Sequence, residues 1–113
     1  YHTSLDDLTL VTPRGLADSF LALRRAIECL ELDECCEATV LGEPQLGRRG
    51  LYPNLSTRDS GDQVRDMMNL LAYSDGHMSL FEIAEVIDVP FWRVEPLARK
   101  LIDAGVLRRC SRR

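Results

Sequence analysis

Residues 79–107 read SLFEIAEVIDVPFWRVEPLARKLIDAGVL, and the spacing of their apolar positions decides how the carboxyl-terminal half folds. Ser79 with Glu82 three positions later fits a capping box, in which a hydroxyl and a carboxylate satisfy two backbone N–H groups at a helix start. Leu80, Ile83, Ala84 and Ile87 then share one helical face. Asp88-Val89-Pro90 interrupts it as a tight break. Phe91, Val94, Leu97, Ala98, Leu101 and Ile102 form a second apolar helical face, which ends at Gly105. Pro96 lies inside this segment, so the helix either kinks or begins its regular part later. Val106 and Leu107 read as a short strand.

Working outward, Ser60-Gly61-Asp62-Gln63 fits another capping box, followed by a face of Val64, Met67, Met68 and Leu71. Ser74-Asp75-Gly76 reads as the turn that ends that helix. The carboxyl-terminal half is therefore a three-helix unit with short turns. Further upstream, Gly42 to Pro53 holds three glycines and two prolines in twelve residues, which rules out a regular helix. Leu46, Leu51 and Tyr52 are buried-type residues that linkers lack, so the segment reads as a shaped loop. Ala38-Thr39-Val40-Leu41 reads as a short strand. Thr12-Pro13 announces a helix over 13–32, with threonine as N-cap and proline at the first helical position. Leu16, Phe20, Leu23, Ile27 and Leu30 place an apolar stripe along it. That stripe requires a partner surface, and an uncovered one would promote self-association. Residues 1–11 read as extended or loop.

The chain has 113 residues, 45% hydrophobic and 28% charged, with a formal net charge of −4. This is a globular balance rather than a disordered one. The negative charge disfavours non-specific nucleic-acid binding, which needs excess cations. No apolar run approaches the roughly 20 residues that span a bilayer. Cys29, Cys35, Cys36 and Cys110 contain no C-x-x-C pair, so metal-clamp spacing is absent and they read as reduced thiols in a cytoplasmic protein. The arginines near the end (Arg108, Arg109, Arg112 and Arg113) read as a solvated basic tail. His77 has no second ligand-type residue at metal spacing and reads as a surface or capping residue.

His2 stands in Tyr1-His2-Thr3-Ser4-Leu5-Asp6-Asp7. Neutral imidazole is a standard zinc ligand, and a ligating ring needs its other nitrogen held by a carboxylate or carbonyl. Asp6 or Asp7 would do that, or would cap the next segment. The H-T-x-x-D pattern, the Gly42–Pro53 loop and Tyr73-Ser74-Asp75-Gly76 ahead of two helices together resemble the carboxyl-terminal part of bacterial zinc-aminopeptidase-like proteins. Those proteins carry an appended winged-helix-like (helix-turn-helix) domain, and some are linked to polysaccharide biosynthesis. The resemblance covers nearly the whole chain, and the Gly/Pro motif is its most specific part.

The resemblance implies a mainly α (α+β) fold. Residues 1–58 would be the end of an α/β zinc-peptidase domain, and residues 59–113 a winged-helix-like three-helix module that stops short of a full wing hairpin. It implies a metallopeptidase-type hydrolase that cleaves amino-terminal peptide bonds of a peptide-like substrate. His2 would be a zinc ligand, with the other ligands and the general base upstream, so this chain holds no catalytic residue. Asp6 and Asp7 would steady His2. Glu43, Arg48 and Arg49 would hold substrate termini, or would only pin their loop to the peptidase domain. The third helix offers Arg93, Arg99 and Lys100, offset by Glu95 and Asp103, which is a poor set for reading DNA. A packing or protein-interaction module is expected, without a nucleic-acid or membrane partner. A small DNA-binding or adaptor protein is the rival reading.

Overall fold

The computed structural model describes residues 4, 7–51 and 58–112, the last stretch with side chains from Gly61 onward. The chain divides into two units, Tyr1–Glu31 and Leu32–Arg113.

The first unit is built around α1 (Pro13–Leu32). Thr12 caps it as expected, its hydroxyl accepting from the Gly15 N–H at 3.0 Å. The i,i+4 pairs Arg14–Asp18 and Arg24–Glu28 lie along the helix. None of its residues is buried. The stripe of Leu16, Phe20, Leu23, Ile27 and Leu30 is 59–82% exposed.

The second unit sets three helices against a small antiparallel sheet. Its strands are β1 (Cys35–Ala38), β2 (Asp75–Ser79) and β3 (Leu107–Cys110), in the order β2-β1-β3. The helices are α2 (Arg58–Tyr73), α3 (Leu80–Val86) and α4 (Phe91–Asp103). Cys35 faces Cys110 and Ala38 faces Leu107 across the β1–β3 ladder. The core gathers Cys36, Met67, Leu70, Leu80, Ile83, Val94, Leu101, Val106 and Leu107, each at most 2% exposed. One residue from nearly every element therefore contributes to a single apolar centre.

The capping box at Ser79 is present in full. Glu82 N–H donates to the Ser79 hydroxyl, and Ser79 N–H donates to the Glu82 carboxylate at 2.8 Å. Asp33 adds a second acceptor, taking the Phe81 N–H at 2.9 Å. Three local expectations move. The first strand runs over 35–38, not 38–41, because β2 and β3 offer pairing partners only that far; beyond it, Thr39 N–H reaches the Val106 carbonyl. Asp75–Ser79 is a strand rather than a plain turn, held by pairing with β1 some forty residues away. Arg58 already begins α2, so Ser60 lies inside the helix rather than at its cap. α4 runs through Pro96, which sits on its solvent face.

β3, which follows α4, pairs with β1, which precedes all three helices, so residues 35–38 share one unit with residues 58–112.

Candidate functional site

His2 and Asp6 lie outside the described residues. Asp7 is exposed, and one of its carboxylate oxygens is engaged locally. Its Oδ1 accepts from Thr9 N–H at 2.8 Å and from the Thr9 hydroxyl at 2.6 Å, and its carbonyl accepts from Leu10 and Val11 N–H. The hydrogen bond from the Thr9 side chain, followed by that from the Thr9 backbone, holds its carboxyl below the usual value. Asp7 thus organises the turn that leads to Thr12. Among the described residues, no group of three or more His, Cys, Asp or Glu side chains could hold a metal ion.

The Gly/Pro segment is a shaped loop. Leu46–Arg49 makes a 3-10 turn between two left-handed residues, Gln45 (φ 48) and Gly50 (φ 68). Pro44 and Leu46 are buried beneath it. Arg48 donates to the Gln45 side chain at 3.1 Å. Arg49 donates through Nε to the Pro44 carbonyl and through Nη1 to the Ala104 carbonyl, both at 3.0 Å. A cation is favourable there, because the end of α4 presents carbonyls without helical partners. Arg49 therefore stitches the loop to α4. Beside it, a cleft of about 440 Å³ is lined by Arg49, Gly50, Leu51, Gln63, Lys100, Asp103 and Ala104. Of the three residues expected at a substrate, only Arg49 lines this cleft. Glu43 and Arg48 are exposed outside it.

The helix-turn-helix face has a charge pattern that formal charges alone do not reveal. Arg93 pairs with Asp66, Arg99 with Glu95, Arg108 with Glu37, Arg109 with Glu34 and Arg112 with Glu82. Every one of these cations is matched by a carboxylate of the same unit. The carboxyl-terminal arginines described are solvent-exposed as expected, and each also meets an acid, at Glu37 in β1, Glu34 just before it and Glu82 in α3.

A groove of about 310 Å³ opens at the turn between α3 and α4, lined by Phe81, Ala84, Glu85, Asp88, Val89, Pro90, Phe91 and Trp92. Trp92 is 52% exposed and Phe81 40%. Sequence reasoning missed this groove. A single tryptophan directly after the Pro90-Phe91 break, at the second position of α4, was the available signal. His77 is exposed, and its backbone N–H donates to Asp75 Oδ1 at 2.9 Å.

The four cysteines are free thiols. Burial pushes the Cys36 thiol up to about 11 and that of Cys35 upward as well, so neither is a thiolate nucleophile near neutral pH.

Residues 34–109 match the family model described as winged helix-turn-helix. A Clostridium acetobutylicum protein, described as a candidate polysaccharide biosynthesis protein with an aminopeptidase-like domain, is 33% identical over 112 residues. That match covers 96% of this chain and 25% of the relative. A solved structure of a candidate peptidase from Clostridium acetobutylicum superposes with a TM-score of 0.79 at 31% identity. It covers 97% of this chain and 24% of that one. The chain spans about a quarter of the length of these relatives, and it resembles one part of a peptidase-like protein with a winged-helix domain.

Proposed function

Because the chain belongs to the winged helix-turn-helix family, we propose that it serves a longer, metal-dependent aminopeptidase as a packing and protein-interaction module. The observation that carries this reading is the reach of the similarity. It covers 96% of the chain, and so extends past residues 34–109 into the segment around α1.

In this reading the residues ahead of Leu32 continue the peptidase body, and the boundary moves from the 58/59 position expected from sequence to the start of the Leu32–Arg113 unit, which holds the residues 34–109 matched by the winged helix-turn-helix model and forms the appended module. His2 is one zinc ligand, steadied by Asp6 or Asp7, and the other ligands and the general base lie elsewhere in the longer protein. With one ligand here and the rest elsewhere, this stretch alone is inactive in this reading. Zinc held in such a site would supply an activated water for attack on an amino-terminal peptide bond. Arg49, fixed between Pro44 and Ala104, keeps the loop in shape. Glu43 and Arg48 are left to meet the charged ends of a peptide-like substrate.

The paired arginines count against the rival reading. A duplex-binding surface needs cations available to phosphates, and Arg93, Arg99, Arg108, Arg109 and Arg112 are each engaged by an acid.

The test is His2→Ala in a protein of the relatives' full length. Bound zinc should fall below one equivalent per site, and hydrolysis of an aminoacyl anilide should drop by about 100-fold or more, in line with losing a metal ligand. Unchanged zinc content and rate would refute the metal assignment. This chain alone should bind zinc only weakly.

A further inference from the structure

We propose that the groove between α3 and α4 is a docking site for a basic, apolar segment of a partner protein. The inference rests on the reading of this module as a protein-binding one, and not on the zinc or peptidase assignment.

The floor of the groove is aromatic. Phe81 and Phe91 lie with ring centroids 6.0 Å apart and planes tilted by 44°. Phe91 is buried, whereas Phe81 presents part of its ring to solvent. Trp92 forms a half-exposed wall at the second position of α4. Exposed aromatic surface of this kind loses free energy to water and is what interface anchors bury.

The rim is acidic. Glu85 near the end of α3 and Asp88 in the turn line the same opening. Both are exposed, and neither carboxylate has a hydrogen-bond or ion-pair partner among the described residues. That sets them apart from Glu34, Glu37, Asp66, Glu82 and Glu95 of the same unit, each of which holds an arginine. Asp88 also occupies the left-handed region at φ 54, so the turn projects this carboxylate at a local backbone cost. Two open carboxylates repel phosphates and attract a guanidinium or ammonium group. At about 310 Å³ the groove accepts one large apolar side chain with a neighbouring cation, not a whole helix.

Trp92 is the only tryptophan, so its emission reports on the groove directly. The test titrates the 113-residue chain with an acetylated, amidated hexapeptide of alternating arginine and leucine. Its controls are the same peptide with glutamate for arginine and a mixed-sequence duplex DNA. Saturable blue-shifted emission is expected with the basic peptide alone, weakening several-fold at 0.5 M salt because exposed charge pairs are screened. The doubly substituted Glu85→Lys/Asp88→Lys chain should bind at least ten-fold more weakly. Both positions are exposed, and unchanged circular dichroism and thermal midpoint would confirm that the variant folds. Equal response to the glutamate peptide, no response to either peptide, or unimpaired binding by the variant overturns the docking site. Saturable emission change with duplex DNA instead would overturn the protein-module reading itself.

Discussion

Arg93 on α4 donates through Nη2 to Oδ2 of Asp66 on α2 at 2.8 Å, and Asp66 is 1% exposed while Arg93 is 54% exposed. One end of this bridge is in the core and the other is in water. Arg65 supplies a second contact, to Oδ1 at 3.3 Å. A buried carboxylate is costly unless held by donors, so the pair fixes α2 against α4 by penalising any other arrangement. Its net contribution is smaller than that of a fully buried pair, because solvent screens both guanidinium groups.

Arg93→Ala should therefore destabilise the unit by about 1–3 kcal/mol, leaving Asp66 with only its weaker partner. Asp66→Ala should cost a similar amount. The double variant should lose less than the sum, because the orphaned charge is then gone. Urea denaturation of the four proteins measures this. Strict additivity would show that the two residues do not act as a pair.

The start of α3 gives a pH prediction. Ser79→Ala removes the hydroxyl of a complete capping box and should cost about 1 kcal/mol. The backbone hydrogen bond from Ser79, then the Arg112 side chain, hold the Glu82 carboxyl below its ordinary value of 4.5. A depressed carboxylate stabilises the fold above its unfolded pKa, and the contribution disappears as pH falls through the folded value. Thermal midpoints should thus decline as pH drops below about 4.5, the value normal for this carboxyl. Glu82→Gln should flatten that decline while lowering the midpoint at neutral pH. An unaltered acid limb in the Gln variant would count against this cap as the acid-sensitive group.

The thiols predict behaviour at the alkaline side. Burial raises Cys36 from 9.0 to about 11. In the unfolded chain the thiol ionises first, so stability is intact below about 9 and is lost as pH rises toward 11. Cys36→Ala should lessen the slope of that loss, whatever its effect on absolute stability. Native alkylation at pH 8 should modify Cys29 and Cys110, both half-buried, ahead of Cys35 and Cys36. Peptide mapping decides this, and early labelling of Cys36 would contradict its burial.

Much of this was legible where the signal is local. Thr12-Pro13 with the 16/20/23/27/30 spacing located α1 at 13–32, matching Pro13–Leu32. Ser79 with Glu82 located the start of α3, and Asp88-Val89-Pro90 the turn. The sheet was harder, because β1 and β2 are four and five residues long and hold together through partners distant in sequence. Cys35-Cys36 carries no alternation that would mark a strand, and Asp75-Gly76 carries turn chemistry even though Gly76 is buried in one. The groove at Trp92 was illegible for a related reason. Its acids and aromatics converge from α3, the turn and α4, and only the folded chain shows that Glu85 and Asp88 lack the arginines that other acids hold.

The stripe on α1 makes a prediction about the isolated chain. Leu16, Phe20, Leu23 and Ile27 are more than half exposed, on a helix that carries the i,i+4 surface pairs Arg14–Asp18 and Arg24–Glu28. Such pairs contribute a few tenths of a kcal/mol each, too little to hold a 20-residue amphipathic helix rigid without burial of its apolar face. Association of the 113-residue chain would cover that face, so sedimentation velocity should show a concentration-dependent increase in mass. Leu16→Glu with Leu23→Glu should abolish the increase and lower the helical signal, while the unfolding midpoint of the Leu32–Arg113 unit stays within about 2 °C, a shift below that of a 1 kcal/mol change in a domain of this size. In a protein of the relatives' length the wild-type stripe should resist limited proteolysis, being covered by the rest of the chain. A monomer with undiminished helicity at all concentrations would mean that α1 needs no covering surface.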